Sequence, residues 1–131
     1  YINLPNQALD TTSSVDFEKV DLSDTVRHTS ATLTTSTGDA GQVLDQFDIT
    51  LRRSCKYTIS VTSGTDYQVA EALVIHDGTN AYVTVYGEMQ TNSGTALSIF
   101  SADIDSGQCR LLVDPLNAVT TYKASVTRVA I

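Results

Sequence analysis

Three kinds of feature are scarce in this chain, and each scarcity excludes a class of protein. The two cysteines, Cys55 and Cys109, are too few for a disulfide scaffold and lack the short spacing of a zinc site. The longest aliphatic run, residues 72–75, is far shorter than the ~20 apolar residues of a membrane-spanning helix. Eight basic residues oppose fifteen acidic ones, and a net charge of -7 disfavours binding to a phosphate backbone. We therefore expect no cofactor, no membrane and no nucleic acid as a partner.

The length of the chain limits its organisation to one domain. Its 131 residues are enough to bury a hydrophobic core without the help of metals or disulfides. The sequence begins at Tyr1 without an initiator methionine, so an earlier leader stays an open question.

Hydroxyl side chains are abundant, with 19 Thr and 13 Ser, whereas Trp is absent. Thr favours strands, and Ser favours turns and polar strand faces. Residues 54–63 alternate between apolar and polar side chains and give the strongest strand signal. Residues 67–76 carry apolar side chains at both odd and even positions, which predicts a central strand covered on both faces. These patterns predict an all-β fold.

Turn signals set the predicted architecture. Asp77 and Gly78 supply the backbone freedom of a tight hairpin, with His76 and Ala81 at its base. Similar signals every 8 to 12 residues predict an antiparallel β-sandwich of about seven to nine strands over residues 25–131. We expect the core to contain nine side chains: Tyr57, Ile59, Val61, Leu73, Ile75, Val83, Leu111, Val113 and Val126.

Residues 1–24 lack a sustained helical or strand period and predict an extended N-terminal arm. The arm nevertheless contains more large apolar side chains than a free linker tends to keep. We expect it to be an assembly element that docks on a neighbouring subunit through Tyr1, Ile2, Leu4, Leu9, Val15, Phe17, Val20 and Leu22.

Catalytic motifs are missing from the sequence. A nucleophile elbow, a zinc-protease helix and a phosphate-binding loop are all absent. His76 precedes Asp77 at a hairpin, but Ser, His and Asp are too common here to indicate a triad, and we interpret His76 as part of a solvated turn. We therefore predict that the protein is not an enzyme.

Several carboxylates need a structural interpretation. Asp103 and Asp105 alternate around a turn and could offer oxygens to Ca²⁺, but no acidic residue closes the loop, so a polar hairpin end is favoured. Asp45 and Asp48 are expected to be exposed. Glu71 shares its parity with apolar residues, so it requires a partner unless that face is open to solvent.

The expected partner of Glu71 is Arg53 or Arg110, or else a tyrosine hydroxyl. Both cysteines lie on the apolar parity of their strands and are expected to be buried and reduced, with a disulfide left open.

Two long segments resemble a domain of virion structural proteins from marine tailed bacteriophages, particularly cyanophage-like viruses. The resemblance rests on three sequence motifs, which are KYxxxVTxGTxYQ and xVxHDGTxAYxTxYG within residues 53–89, and FSADIxxGxxRLLVxPxNAxT from residue 100 onward. The resemblance implies a β-rich particle component located in the virion, with no catalytic residues to transfer.

A compact domain behind an arm suits a capsid decoration or cement protein. Its expected partners are the major capsid protein or other virion proteins, and we expect a homo-oligomer in the particle. The alternative is a structural module, or a receptor- or glycan-binding module, associated with a tail, neck or fibre. The absence of Trp weighs against a glycan site.

Overall fold

The computed structural model describes residues 15–131, which form nine β-strands and no helix. No helix of this part is therefore long and apolar enough to cross a membrane. The strands are β1 (Val20–Leu22), β2 (Val26–Thr34), β3 (Gln42–Asp48), β4 (Arg52–Ser63), β5 (Asp66–His76), β6 (Ala81–Gln90), β7 (Ser98–Asp105), β8 (Gln108–Pro115) and β9 (Thr121–Ala130).

The strands form two antiparallel sheets. Six of them pair in the order β1-β2-β9-β4-β5-β6, and the other three pair in the order β3-β8-β7. The inner face of the large sheet packs against the small sheet, and the two enclose one hydrophobic core. The predicted all-β antiparallel sandwich is confirmed.

Along most of β4, β8 and β9, every second side chain is buried, and these side chains form most of the core. Seven of the nine predicted side chains contribute to it, six of them fully buried and Val83 half-buried. The prediction that Leu73 and Ile75 on β5 belong to the core was wrong, because their side chains point away from the small sheet and are 45% and 49% exposed. The inner face of β5 instead carries Gln68, Ala70, Ala72, Val74 and His76.

The predicted hairpin is confirmed in turn and register. His76 pairs with Ala81, Ile75 with Tyr82, and Gly78 adopts a positive φ of 99° in the turn. Asp77 organises this turn, since its carboxylate accepts hydrogen bonds from the backbone N–H groups of residues 79 and 80 at 2.8 and 2.7 Å.

A buried amide links the two sheets at the opposite end of β5. The Gln68 side-chain oxygen accepts hydrogen bonds from the backbone N–H groups of Leu97 and Ser98, at 2.6 and 3.1 Å. The Tyr122 hydroxyl donates to Ser98 Oγ at 2.7 Å. These bonds satisfy polar groups that would otherwise be costly to bury, and they hold the start of β7 against the large sheet.

The N-terminal segment contributes one short strand to the large sheet. Val20–Leu22 form β1, which pairs with β2, and Asp21 accepts hydrogen bonds from two Arg27 nitrogens at 2.6 and 3.0 Å. The predicted arm therefore includes an edge strand of the sandwich. Of its eight apolar residues, Tyr1, Ile2, Leu4 and Leu9 lie outside the described residues, whereas Val15, Phe17, Val20 and Leu22 are exposed.

Candidate functional site

The outer face of the six-stranded sheet is open to other molecules, since the small sheet covers only the inner face. Side chains alternate across a strand, so every second residue of β2, β9, β4 and β5 points outward. β6 follows the same alternation as far as Tyr86, and a bulge then brings Met89 to the outer face. Register aligns these residues into rows, one of which runs Ser30, Ser125, Thr58, Glu71 and Tyr86. Outward residues on neighbouring strands therefore lie side by side.

Hydroxyl groups dominate the half of this face formed by β2, β9 and β4. We call it the hydroxyl half, and it comprises Ser30, Thr32, Thr34, Thr58, Ser60, Thr62, Thr121, Ser125 and Thr127, with Lys56 and Lys123 among them. A surface of this composition is well solvated and needs no partner to cover it.

Apolar and aromatic side chains dominate the other half, formed by β5 and β6. We call it the apolar strip, and it comprises Tyr67, Val69, Leu73, Ile75, Tyr82, Tyr86 and Met89. Met89 is the most exposed at 69%. An exposed patch of neighbouring apolar side chains makes the strip a candidate surface for contacts with other molecules.

The strip is concave at both ends. A groove of about 530 Å³ lies at the hairpin end, lined by Leu73, Ile75, Tyr82 and Val129 together with Lys56. A second groove, of about 500 Å³, lies at the other end beside Tyr67, Val69 and Met89. These grooves are lined mainly by apolar atoms, which favours an apolar side chain over a sugar hydroxyl as their occupant.

Glu71 lies on this open face, so it has access to solvent. The Lys56 nitrogen lies 3.6 Å from its carboxylate, and Thr58 donates a hydrogen bond at 3.4 Å. The predicted partners were wrong: Arg53 donates to the His76 carbonyl at 3.1 Å, and Arg110 pairs with Asp103.

Tyrosine rings are concentrated on the apolar strip. Tyr57 and Tyr122 are buried in the core, whereas Tyr67, Tyr82 and Tyr86 all face outward from β5 and β6. The Tyr82 hydroxyl donates to Asp77 at 3.1 Å, which holds its ring at the hairpin. The lack of Trp thus did not leave the surface without aromatic side chains.

His76 is not part of a solvated turn, because its ring is only 2% exposed. Its Nδ1 accepts a hydrogen bond from the Gly78 N–H at 3.1 Å, so Nε2 carries the proton that it donates to the Arg52 carbonyl at 2.6 Å. Both ring nitrogens are engaged within the fold. The ring therefore acts as a structural bridge between the hairpin and β4.

Asp45 was also wrongly predicted to be exposed. A register shift between residues 43 and 45 turns its side chain inward, where it accepts hydrogen bonds from Tyr57 at 2.7 Å and Arg128 at 2.9 Å. Burial is the main cause that raises the pKa of the Tyr57 hydroxyl, so this group stays protonated and donates. The Arg128 guanidinium also lies 5.7 Å from the centre of the Phe47 ring, and it joins β9 to β3.

The remaining carboxylates have structural partners. Arg110 donates to both oxygens of Asp103, at 2.7 and 2.6 Å, and lies 3.7 Å from Asp105. This hydrogen bonding lowers the pKa of Asp103. The half-buried Asp48 accepts hydrogen bonds from Thr50. Within residues 15–131, no group of three metal-ligating side chains converges.

The cysteine prediction is confirmed, because both thiols are buried and free. Burial is the main cause that raises the pKa of Cys55 to about 12 and that of Cys109 to about 11. Both are protonated at neutral pH and fill space in the core.

Comparison with protein families and with curated proteins finds no match. Among solved structures, the chain is similar to tailspike gp49 of Acinetobacter baumannii bacteriophage Fri1, a capsular polysaccharide depolymerase. The TM-score is 0.50 at 16% identity, over 98% of this chain and 20% of that one. The tailspike of Acinetobacter phage vB_ApiP_P1 aligns with a TM-score of 0.49 at 17% identity, over 99% of this chain and 26% of that one. The tailspike of Acinetobacter baumannii phage AM24 aligns with a TM-score of 0.47 at 11% identity, over 83% of this chain and 27% of that one.

This chain spans about a fifth of gp49, so the likeness shows a shared fold with part of that protein. It corrects the prediction that the protein is not an enzyme. That prediction rested on missing motifs, yet the same fold occurs within a depolymerase, so missing motifs do not exclude enzymatic function. These comparisons give no support to the predicted capsid decoration.

Proposed function

We propose that this chain is a β-sandwich module of a tail-associated bacteriophage virion protein. The single observation that carries the proposal is the fold shared with gp49 over 98% of the chain. The resemblance of residues 53–89 and 100–131 to phage virion domains is independent support, and an origin in marine, cyanophage-like viruses is the finer form of the proposal. Both lines of support agree with a location in the virion.

The outer sheet face supports a role in contacts within an assembly. It presents the exposed Leu73, Ile75 and Met89 beside a well-solvated hydroxyl half. A large apolar patch with a polar surround is typical of protein interfaces, so other virion proteins are the proposed partners.

Labelling of purified particles tests the proposed location. Gold-conjugated antibodies against the 131-residue chain should bind at the tail and leave the head unlabelled in electron micrographs. Uniform labelling of the head would support capsid decoration and contradict the tail assignment. Particles that lack the protein serve as the control.

The arm belongs to the proposal as a docking element on a neighbouring subunit. A deletion of residues 1–17 leaves β1 intact, whereas a deletion of residues 1–22 also removes it. The shorter deletion should fold normally, judged by thermal unfolding, and should bind less to particles. Unchanged retention on particles would contradict the docking role, and the longer deletion measures how much β1 contributes to folding.

Depolymerase activity is a second candidate function, favoured by the activity of gp49. The test is release of reducing ends from purified capsular polysaccharide of the host, with heat-denatured chain as the control. Product release would assign the activity to this module. A negative result would leave the module with its proposed role in the assembly.

A further inference from the structure

We propose that the apolar strip on β5 and β6 binds an amphipathic helix of a different protein, one whose apolar face is flanked by Lys or Arg. This chemistry of the partner deepens the proposed role in the assembly, and it rests on that role for the existence of a partner. Charge, dimensions and aromatic content of the strip each favour such a helix.

Charge around the strip is of one sign. Residues 64–97, which include β5, β6 and their turns, contain four carboxylates and neither Lys nor Arg. About a quarter of the chain thus carries more than half of the net charge of -7, whereas all eight basic side chains lie elsewhere. A surface with a local excess of negative charge attracts a basic partner and repels an acidic one, such as a second copy of this chain.

These carboxylates are placed to meet basic residues near both ends of a bound helix. Glu71, halfway along, lies 3.6 Å from the Lys56 nitrogen. The other three form no salt bridge with a described residue, and they are Asp66, Asp77 and Glu88. Asp77 lies at the hairpin end of the strip, and the other two lie at the opposite end. Each end therefore offers a negative charge to the partner.

The strip has the dimensions of a single helix. Tyr67 and Ile75 are eight residues apart on β5, and a strand rises about 3.3 Å per residue, so the strip is about 26 Å long. Two strands about 4.8 Å apart make it about 10 Å wide, close to the diameter of an α-helix. A helix of about 18 residues covers this length, and a helix packed on a sheet face is one of the stable layer arrangements.

The side chains of the strip also suit a basic amphipathic helix. Grooves of about 530 and 500 Å³ at its two ends are lined mainly by apolar atoms and accept large apolar side chains. Three tyrosine rings face outward, from Tyr67, Tyr82 and Tyr86. The face of an aromatic ring attracts the cationic group of Lys or Arg. The strip can therefore bind both the apolar and the basic side chains of one helix.

The outer face suits a partner better than the free edge of β6 does. β6 has β5 as its single neighbour in the described sheet, so its other edge is open. A bulge interrupts β6 at Gly87 and Glu88, where Gly87 adopts a positive φ of 64°. A bulge and a charged side chain on an edge strand both oppose the addition of a further strand. Packing on the face is therefore the favoured mode of contact.

Fluorescence anisotropy of two labelled peptides with the 131-residue chain tests the proposal. Both are helical peptides of about 18 residues with leucine along one face, and the remaining positions are lysine in one and glutamate in the other. The lysine peptide should bind at least about tenfold more tightly than the glutamate peptide. Its binding should weaken as the ionic strength rises, because salt screens the charges at the rim of the strip.

Variants of the chain locate the bound peptide. Leu73→Ser/Ile75→Ser should raise the dissociation constant of the lysine peptide by at least about tenfold, because both side chains line the hairpin-end groove. The matched control is Ile99→Ser, which removes a 65%-exposed isoleucine from β7 of the other sheet and should leave binding unchanged. Thermal unfolding checks that each variant is folded.

A second pair of variants separates local charge from net charge. Glu88→Gln should raise the dissociation constant of the lysine peptide by about two- to fivefold, as expected for an exposed ion pair. Asp24→Asn changes the net charge equally, in the exposed turn between β1 and β2, and should leave binding unchanged.

Three outcomes would overturn the inference. The first is equal affinity for the two peptides, or no binding of either, and the second is binding that the double variant leaves unchanged. The third is a different occupant of the strip, shown by host polysaccharide that displaces the lysine peptide or by self-association in sedimentation that the double variant abolishes. None of these measurements uses particles, so failure here is distinguishable from failure of the proposed tail location.

Discussion

The two faces of β5 reverse the usual relation between apolarity and burial. The inner face carries Gln68, Ala70, Ala72, Val74 and His76, and all five are buried. The outer face carries Tyr67, Val69, Glu71, Leu73 and Ile75, which are larger and mostly more apolar, yet it is open to solvent. The face of a strand that folding covers is therefore not always the more hydrophobic one.

The volume between the sheets explains the small inner residues. Tyr57 and Ile59 on β4, with Tyr122 on β9, are fully buried and occupy much of the space opposite the small sheet. Interiors are close-packed, so β5 can contribute only small side chains where it crosses these residues. The large residues of its outer face are left exposed to solvent.

The sharpest test of this comparison uses the same substitution on either face. Ile59→Ala removes a fully buried side chain and should lower the free energy of unfolding by about 2–5 kcal/mol. Ile75→Ala removes a half-exposed one and should cost less than about 1 kcal/mol. Denaturant titrations of dilute, monomeric protein measure both, and equal losses would show that the outer face contributes to folding as much as the core does.

Enlarging the small inner residues should also separate the two faces. Ala72→Leu adds volume between Tyr57 and Val85, to which Ala72 is paired, and should cost roughly 1–3 kcal/mol through overpacking. Thr84→Leu places a leucine opposite Leu73 on the outer face and serves as the control. A stability loss confined to Ala72→Leu supports tight packing of the inner face, whereas a neutral Ala72→Leu would reveal unfilled space there.

A substitution of Gln68 tests whether its buried hydrogen bonds, at one end of the inner face of β5, stabilise the sandwich. Gln68→Ala leaves the N–H groups of Leu97 and Ser98 without their acceptor and should cost about 1–3 kcal/mol. Gln46→Ala removes an exposed amide on β3 and should have little effect. Hydrogen exchange should then quicken at residues 97 and 98 in the Gln68 variant, and unchanged exchange there would contradict the assigned role.

The smallest expected effect is a pH dependence of folding stability, caused by Asp77 in the hairpin where β5 ends. Backbone N–H groups of Asn80 and then Thr79 lower the pKa of Asp77 from 3.8 to about 2. Because the folded pKa is the lower one, the stabilisation is fully present above pH 3.8 and is lost as pH falls towards about 2. A carboxyl NMR titration with a midpoint near 4 would contradict this arrangement, and Asp77→Asn should remove the dependence.

Much of the fold was predictable because it depends on local preferences. Alternation in residues 54–63 predicted β4 and its buried face, and the turn residues at Asp77 and Gly78 predicted the hairpin and its register. These features require only neighbouring residues to adopt favoured backbone conformations.

The environment of several polar residues was not predictable in the same way. Asp45 is half-buried and pairs with Arg128, 83 residues away, whereas His76 is buried with its ring bonded to the Arg52 carbonyl. The prediction that residues 67–76 are covered on both faces was wrong, because the small sheet covers only the inner face of β5 and the outer face is open to solvent.

The sequence by itself determined an all-β chain, its turns and the alternation along each strand, since these follow from backbone preference and side-chain periodicity. The tertiary structure decided which face of β5 points inward, which carboxylates are buried and where the exposed tyrosines gather. Those outcomes depend on the volumes and hydrogen-bonding groups that distant strands bring together, and the packing of two sheets against each other sets them.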